Sequence, residues 1–318
     1  MATEAELLDL DQVRAAHERI APYVLRTPLL RLGADGPWLK AEHLQPVGSF
    51  KLRGAINTLL LLGGRARAGV VAHSSGNHAI AVAHAGAVLG IPVTVVVPSD
   101  APTVKVERTR ALGAAIEVVG PASADRASRA EAIAAERGLP LVEPYDSWAV
   151  LGATATIAVE VLEDHVGPPP VIYVPVSGGG LAGGVAAAAK LLDPAVRIVA
   201  VEPEVAADYV ASRAAGRPVA LPAEQMARTA ADGLRVQQVG SLPWRHLEAF
   251  VDDAATVSEA EIAGAVRRIA AEAHQIAEPS GAVAVAAAIA GSSCGGRPSD
   301  GRVAVLSGAN VERVRADE

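Results

Sequence analysis

Short apolar runs rich in β-branched residues alternate along the chain with longer stretches rich in alanine. A typical run is 93–97, of sequence Val-Thr-Val-Val-Val, which ends at Pro98. Such runs predict strands buried on both faces, and the stretches between them predict helices. We therefore expect strands at 70–72, 93–97, 116–119, 141–142, 171–174, 197–201 and 303–306, and helices at 77–89, 124–137, 152–165, 181–192 and 282–290.

This alternation of strands and helices predicts an α/β protein with parallel sheets. Segment 203–250 interrupts the alternation with polar and proline-containing stretches, which argues against a regular barrel. A chain of 318 residues, 51% of them hydrophobic, can bury a sizeable core. Its length suggests about two domains.

Composition and charge exclude several classes of function. Asp and Glu outnumber Lys and Arg by 35 to 28, and only 3% of the residues are aromatic. A nucleic-acid groove needs a basic surface and stacking platforms, so no nucleic-acid partner is expected. Cys294 is the only cysteine, which excludes internal disulfides and a Cys-rich zinc site. We recognise neither a signal peptide nor an apolar membrane span, and expect a cytoplasmic protein without a membrane partner.

A glycine-rich loop at 177–181, of sequence Ser-Gly-Gly-Gly-Leu, follows one predicted strand and opens a helix. Glycines let backbone N–H groups approach an anion closely, and the helix N-terminus adds partial positive charge, so phosphate is the natural ligand. Gly178, Gly180 and Gly183 also fit a dinucleotide-binding pattern, with Glu202 about 20 residues further on. These residues alone leave open a phosphate site, a NAD-dependent dehydrogenase and an ordinary tight turn.

Two further segments carry candidate chemistry. The loop 74–78, of sequence Ser-Ser-Gly-Asn-His, could bind a carboxylate or could simply cap the following helix. Lys51 lies between Phe50 and Leu52 near the start of another predicted helix. A lysine in an apolar pocket has a lowered pKa and can attack an aldehyde, whereas an exposed lysine would have no such role.

Segments 49–55, 74–78, 177–181 and 307–310 together resemble, in order and spacing, the motifs of the pyridoxal-phosphate enzymes of the tryptophan-synthase-β fold type (fold type II). The likeness is to the threonine/serine dehydratases and serine racemase in particular. It implies a two-domain α/β fold with parallel-rich sheets, a large cofactor-binding domain at 1–72 and 148–318, a small mobile domain at 73–147, and a homodimer. A dehydrogenase would leave three of the four motifs unexplained.

The resemblance also implies a role for each matching residue. Lys51 would form the Schiff base with pyridoxal 5′-phosphate and act as the base at the substrate Cα. Ser75 would face Cα from the opposite side, which permits racemisation as well as elimination. The cofactor would contact Phe50, Lys51, Asn77, Gly178, Gly179, Gly180, Leu181 and Ser307, and the substrate would contact Ser74, Ser75, Asn77, His78 and Arg126.

A divalent metal site is implied as well. In the resembling enzymes two acids and a backbone carbonyl bind Mg²⁺, Mn²⁺ or Ca²⁺, and the matching positions are Glu202, Ala206 and Asp208. Carboxylates, a carbonyl and waters suit such a hard cation. Two unrelated surface acids beside a strand end are the alternative.

The activity implied by the resemblance is that of an ammonia-lyase. It would eliminate the β-hydroxyl of L-serine, L-threonine or a relative such as 3-hydroxyaspartate, giving a 2-oxo acid and ammonia. A serine or other amino-acid racemase, a dehydratase of the hydroxyectoine pathway and a catalytically silent ligand-binding relative are the alternatives. Ile80, Tyr145, Asp146 and Ala309 depart from the family pattern around the pocket, so the substrate stays open.

Overall fold

The computed structural model describes residues 7–74, 76–101, 103–120, 123–293, 295–296 and 301–311; Ser75 and Cys294 lie outside it. The strands are β1 (Leu29–Arg31), β2 (Trp38–Lys40), β3 (Val70–His73), β4 (Val93–Pro98), β5 (Ala115–Val119), β6 (Val171–Pro175), β7 (Arg197–Pro203), β8 (Asp253–Val257) and β9 (Arg302–Val305). The helices are α1 (Leu10–Ile20), α2 (Lys51–Leu62), α3 (Asn77–Leu89), α4 (Thr103–Ala111), α5 (Ser123–Arg137), α6 (Trp148–Asp164), α7 (Gly180–Leu192), α8 (Asp208–Ala215), α9 (Ala223–Met226), α10 (Ser241–Phe250), α11 (Glu259–Glu272) and α12 (Pro279–Ala290).

The larger of two sheets has the strand order β1-β2-β9-β6-β7-β8. Its strands pair in parallel except for β1 with β2. Side chains alternate between the two faces of each strand, so Ile172 and Val174 of β6 pack in the core beneath α6 and α7. Val171 and Tyr173 of the same strand pack against α11 and α12 on the other face. Helices on both faces explain why these strands are continuously apolar.

The smaller sheet has the order β3-β4-β5, and all its strands are parallel. Val70 and Val95 belong to the core that this sheet forms with α2 and α3. Val71 and Val96 face the other way and pack against Ile133 of α5. The predicted α/β class with parallel sheets is therefore confirmed.

The predicted strand at 141–142 is wrong, because Leu141 forms only an isolated bridge with Val71. Short peripheral strands went unpredicted. Strand β8 lies at the sheet edge and its residues are mostly half-buried, so it lacks a continuous apolar run. The division into domains at residues 72 and 148 stays a prediction. Among the described residues no helix is long and apolar enough to cross a membrane.

Candidate active site

Parallel strands place several of the predicted site residues at one edge of each sheet. The glycine loop follows β6, Ser74 follows β3 and Ser307 follows β9, each at the carboxyl end of its strand. Ligands of open parallel sheets bind at that end. The start of α2 joins this edge because the Phe50 N–H donates to the Ser307 carbonyl at 3.1 Å and Ser49 bridges to Gly308. Residues far apart in sequence thus come together around Lys51.

The Lys51 amine faces the carbonyl of Pro144, to which Nζ donates a hydrogen bond of 2.7 Å. Nζ also lies 5.1 Å from the centre of the Phe50 ring. The two residues line a cavity together with Gly54, His78 and others. Burial lowers the Lys51 pKa to about 8, so a useful fraction of the amine is neutral near physiological pH. This is the environment expected of a nucleophilic lysine.

The glycine loop is packed too tightly for larger residues. Gly179 has φ +87°, and a Cβ on Gly178 would lie 2.3 Å from Cγ of Tyr145. A Cβ on Gly180 would lie 2.7 Å from the Tyr145 carbonyl oxygen. The Ser177 hydroxyl is buried and has no hydrogen-bond partner among the described residues. Backbone N–H groups at the start of α7 and an unsatisfied hydroxyl suit an anionic ligand such as phosphate.

Asn77, the first residue of α3, is held by residues that follow distant strands and helices. Its Nδ2 donates to Oε1 of Glu278 at 2.5 Å, and its Oδ1 accepts from Nδ2 of Asn310 at 2.9 Å. Glu278 is 2% exposed and precedes α12, while Asn310 follows β9. Asn77 is therefore held between the segment that precedes α12 and the segment that follows β9.

His78 is a buried neutral imidazole. Its Nε2 donates to the carbonyl of Val142 at 3.1 Å. Burial, and then the charge of Lys51, lowers its pKa to about 3. A proton carrier would need a pKa nearer to neutrality, so we expect His78 to bind or position a ligand rather than exchange protons with it.

The family of the chain follows from comparison with known proteins. The family described as pyridoxal-phosphate dependent enzyme matches residues 20–308, which include Lys51 and the glycine loop. The chain belongs to this family. A serine racemase of Arabidopsis thaliana is 39% identical over 96% of this chain and 93% of its own length. An L-threo-3-hydroxyaspartate ammonia-lyase of Saccharomyces cerevisiae is 38% identical over 86% and 85%.

Solved structures agree with the sequence relatives. A threonine deaminase of T.th. has a TM-score of 0.90 and 38% identity, covering 97% of this chain and all of its own. The chain is thus a pyridoxal-phosphate dependent enzyme with the mixed α/β architecture of fold type II. The interpretation of Gly178, Gly180 and Gly183 as a dinucleotide site is set aside, since it does not account for the family match.

The remaining predicted contacts of this pyridoxal-phosphate dependent enzyme are those of Ser307, Ser74, Arg126 and Ser75. Ser307 Oγ lies 3.4 Å from the Ser280 carbonyl, so this hydroxyl makes at most a weak bond within the protein. Ser74 Oγ accepts from the Gly76 N–H at 3.1 Å, which shapes the loop. Arg126 lies on α5 near His73 and Asp100. Ser75 lies outside the described residues, and all of these roles stay predictions.

A second buried group of acids lies at the end of β7 and the start of α8. Glu202 and Asp208 are both fully buried. Glu202 accepts from the N–H groups of Tyr209 at 2.9 Å and Val210 at 2.8 Å. Neither oxygen of Asp208 accepts a hydrogen bond from a described residue. Burial raises the pKa of Asp208 to about 7, and burial and Asp208 together raise that of Glu202.

Two adjacent buried carboxylates without a counter-charge fit a hard cation. The carbonyl of Ala206, itself buried, is in the intervening turn. Within the described residues no third His, Cys, Asp or Glu joins the pair in a metal-type cluster. Any cation here would therefore be held by two carboxylates, carbonyl oxygen and water, as Mg²⁺ and Ca²⁺ accept.

A buried charge network beneath the start of α2 had no signal in the sequence. Arg53 pairs with Glu42 at 2.7 Å and with Glu160 of α6 at 2.7 Å. Lys40 pairs with Glu160 at 2.6 Å and donates to the Thr27 carbonyl. Burial acts to raise the pKa of Glu42, but its contacts with Arg53 and Thr27 lower the pKa overall. The network fixes α2, and thereby Lys51, against β2 and α6.

Proposed function

We propose that this chain is an ammonia-lyase that removes the β-hydroxyl of a 3-hydroxy amino acid such as L-serine or L-threonine. The products are a 2-oxo acid and ammonia. The observation that carries this proposal is the Lys51 amine, which is buried beside Phe50, has a pKa of about 8 and lies at the same sheet edge as the glycine loop. When bound, pyridoxal phosphate supplies an aldehyde for amines and a ring that withdraws electrons from Cα.

Different residues of the chain would bind the cofactor, bind the substrate and transfer the proton. Lys51 would hold the cofactor and then, once its amine is free, take the proton from the substrate Cα. Gly178, Gly179 and Gly180, with the Ser177 hydroxyl, would hold the phosphate, and the loop at 74–78 would hold the substrate carboxylate. Ser307 would bind the ring nitrogen. A hydroxyl there leaves that nitrogen unprotonated, unlike a carboxylate, and the weaker electron withdrawal favours prompt elimination.

An amino-acid racemase is the second candidate. It is favoured by the Arabidopsis relative, which is named a serine racemase. In that case Ser75 would return a proton to the face of Cα opposite Lys51. The yeast relative, named for L-threo-3-hydroxyaspartate, supports elimination from a substrate with a second carboxylate. Assays of 2-oxo acid release and of amino-acid chirality distinguish the two activities.

The finer proposals concern metal, assembly and location. Glu202, the Ala206 carbonyl and Asp208 would bind Mg²⁺, Mn²⁺ or Ca²⁺, because their buried negative charge has no ionic partner among the described residues. The cation would order the structure rather than join the chemistry at Lys51. A cytoplasmic homodimer with a mobile unit at 73–147 completes the proposal.

Borohydride reduction tests the site and product analysis tests the reaction. Purified protein supplied with pyridoxal phosphate should lose its visible band on reduction, and peptide mapping should find the label on Lys51. A screen of 3-hydroxy amino acids should show release of a 2-oxo acid, and chiral analysis of the residual amino acid should measure racemisation. Label on another lysine would overturn the site assignment. Release of no 2-oxo acid from any substrate would overturn the lyase.

A further inference from the structure

A closed ring of polar contacts surrounds Asn77. Two of its contacts, to Glu278 and Asn310, are described above, and two cations of α4 complete it. Arg108 donates to Oδ1 of Asn310, and Lys105 Nζ lies 3.9 Å from Oε2 of Glu278. Lys105 and Arg108 are three residues apart on α4 and so lie on one face of it. The contacts therefore run from α4 through Asn310, Asn77 and Glu278 and back to α4.

The chemistry of the end groups fixes the direction of every bond in this ring. A guanidinium only donates, so Arg108 must face the oxygen of the Asn310 amide, and the Asn310 NH₂ group then faces Oδ1 of Asn77. A carboxylate only accepts, so Glu278 must face the NH₂ group of Asn77. Neither amide can turn over without placing two acceptors or two donors against each other. One N–H of Asn77 remains after its bond to Glu278.

Glycines in the neighbouring loops make room for the ring. A Cβ on Gly48 would lie 2.5 Å from Oδ1 of Asn310, and a Cβ on Gly308 would lie 2.1 Å from Oε1 of Glu278. Asn310 also donates to the Val47 carbonyl at 3.0 Å. Glycine thus stands at two positions where any side chain would collide with Asn310 or Glu278. An incidental surface contact would not need such space.

The hydrogen-bond directions in this ring require that the Glu278 carboxyl group be ionised. Burial raises its pKa overall, and Asp232 acts in the same direction, while Lys105 and the bond from Asn77 act to lower it. Lys105 itself pairs with Asp232 at 2.5 Å and is 11% exposed at its side chain. Asp232 accepts a hydrogen bond from Ser280, whose carbonyl lies by Ser307. The cation of Lys105 is thereby held beside Glu278.

We propose that Arg108, Asn310 and Glu278 are positioning residues that fix the remaining N–H of Asn77 as a donor to the ring oxygen of the bound cofactor. The inference rests on the proposed function, because it takes pyridoxal phosphate to be the ligand bound at Lys51. Asn77 is adjacent to His78, which lines that cavity. A donor with one fixed direction would select a phenolic oxygen at that point and stabilise it in its ionised form.

The test compares two cofactors in the holoenzyme, pyridoxal phosphate and its 3-deoxy analogue, which lacks the ring oxygen. Arg108→Glu replaces a group that only donates with one that only accepts, so Asn310 and then Asn77 must turn over. We expect the affinity for pyridoxal phosphate, measured by spectral titration, to fall by about five- to tenfold, the equivalent of one hydrogen bond. The affinity for the 3-deoxy analogue should stay within about twofold.

Matched variants separate this role from a structural one. Arg108→Lys keeps a donor and should restore most of the affinity. Arg110→Glu makes the same charge change on α4, where Arg110 is exposed, and should leave both affinities unchanged. Asn310→Asp removes the donor facing Asn77 without altering α4 and should repeat the selective loss. The holoenzyme has one absorption band in the near ultraviolet and one in the visible. The ratio of their intensities should change in Arg108→Glu and Asn310→Asp, but not in Arg108→Lys or Arg110→Glu.

Each failure has its own meaning. If Arg108→Glu and Asn310→Asp weaken both cofactors equally, or neither, while the parent still takes the borohydride label at Lys51, the ring has no role toward the ring oxygen and this inference is wrong. If the parent takes no label at Lys51, the proposed function fails as well, and the inference fails with it.

Discussion

Two buried clusters of charged side chains show opposite solutions to the same physical problem. Beneath α2, Lys40 and Arg53 face Glu42 and Glu160, so that positive and negative charges balance and hydrogen bonds join them. At the end of β7 and the start of α8, Glu202 and Asp208 lie together, and neither forms an ion pair with a described residue. Burying a charge is costly unless it is paired. The first cluster is complete within the protein, whereas the second has no counter-charge among the described residues.

The largest expected effect comes from unbalancing the complete cluster. Glu160→Gln keeps the shape of the side chain but leaves Lys40 and Arg53 opposite one carboxylate, that of Glu42. Removing one partner of a buried ion pair typically costs about 3–5 kcal/mol. We expect a loss of this size in the free energy of unfolding, measured by denaturant titration. A variant as stable as the parent would show that the cluster does not need its balance.

The sequence predicts candidate site residues, but it gives no indication of the side chains that support them. Lys51 and the glycine loop follow from local motifs, because a tight βα turn and a lysine at a helix start are written in adjacent residues. The pairing of Arg53 with Glu160 joins positions 107 apart, and that of Asn77 with Asn310 joins positions 233 apart. No periodicity connects such positions, so only the folded chain brings them together.

The secondary structure shows the same difference between elements that a local pattern predicts and elements that it does not. Central strands such as β6 and β7 are apolar on both faces, so their continuous apolar runs predict them. Strands β1 and β2 have three residues each, too few for a pattern to establish. Helix α10 lies in segment 203–250, which is mostly polar. Its few buried residues do not give the segment a recognisable helical pattern. Burial from a distant element, rather than local preference, decides these parts.

The second prediction concerns Lys51, a half-buried cation without a carboxylate partner in the described structure. Its pKa is lowered from 10.5 to about 8 by burial, so the neutral amine increases as the pH rises through 8. The rate at which cofactor-free protein combines with pyridoxal phosphate should therefore rise from pH 7 and level off above about pH 9. Stopped-flow absorbance measures this rate.

Free N-acetyl-lysine in the same buffers is the control for the Lys51 titration. It should continue to react faster up to pH 10 and beyond, since its amine keeps an ordinary pKa. If the protein follows the same curve as free lysine, burial does not activate Lys51. The absence of a carboxylate partner would then distinguish Lys51 from the paired cations Lys40 and Arg53 in structure but not in reactivity.

The third prediction tests whether the acid pair binds a divalent cation. Adding Mg²⁺ or Ca²⁺ should stabilise the parent protein by about 2–3 kcal/mol at a hundredfold excess over the dissociation constant, because only the folded state binds it. Asp208→Asn should abolish this gain, and without cation it should be no less stable than the parent, since it removes a buried charge. Thermal unfolding with cation or chelator measures both effects.

An exposed acid in the same turn provides the matched control for the cation experiment. Glu204 lies between Glu202 and Asp208 in sequence but faces solvent. Glu204→Gln should keep the full stabilisation by cation. Equal melting temperatures of the parent in cation and in chelator would contradict the metal proposal and leave the acid pair without a counter-charge.

The smallest effect on the free energy of unfolding should come from the same Glu→Gln substitution at a solvent-exposed ion pair. Glu163 lies on α6 three residues after Glu160 and pairs with Arg26 at 2.6 Å, yet the two side chains are 54% and 46% exposed. Water solvates both ions almost as well apart as together, so exposed pairs contribute about 0–1 kcal/mol. Arg26 also keeps its bond to Asp164. Glu163→Gln should therefore lower the free energy of unfolding by less than about 1 kcal/mol in the denaturant titration used for Glu160→Gln. Equal losses in the two variants would mean that the position on α6, rather than burial of the charge, determines the cost.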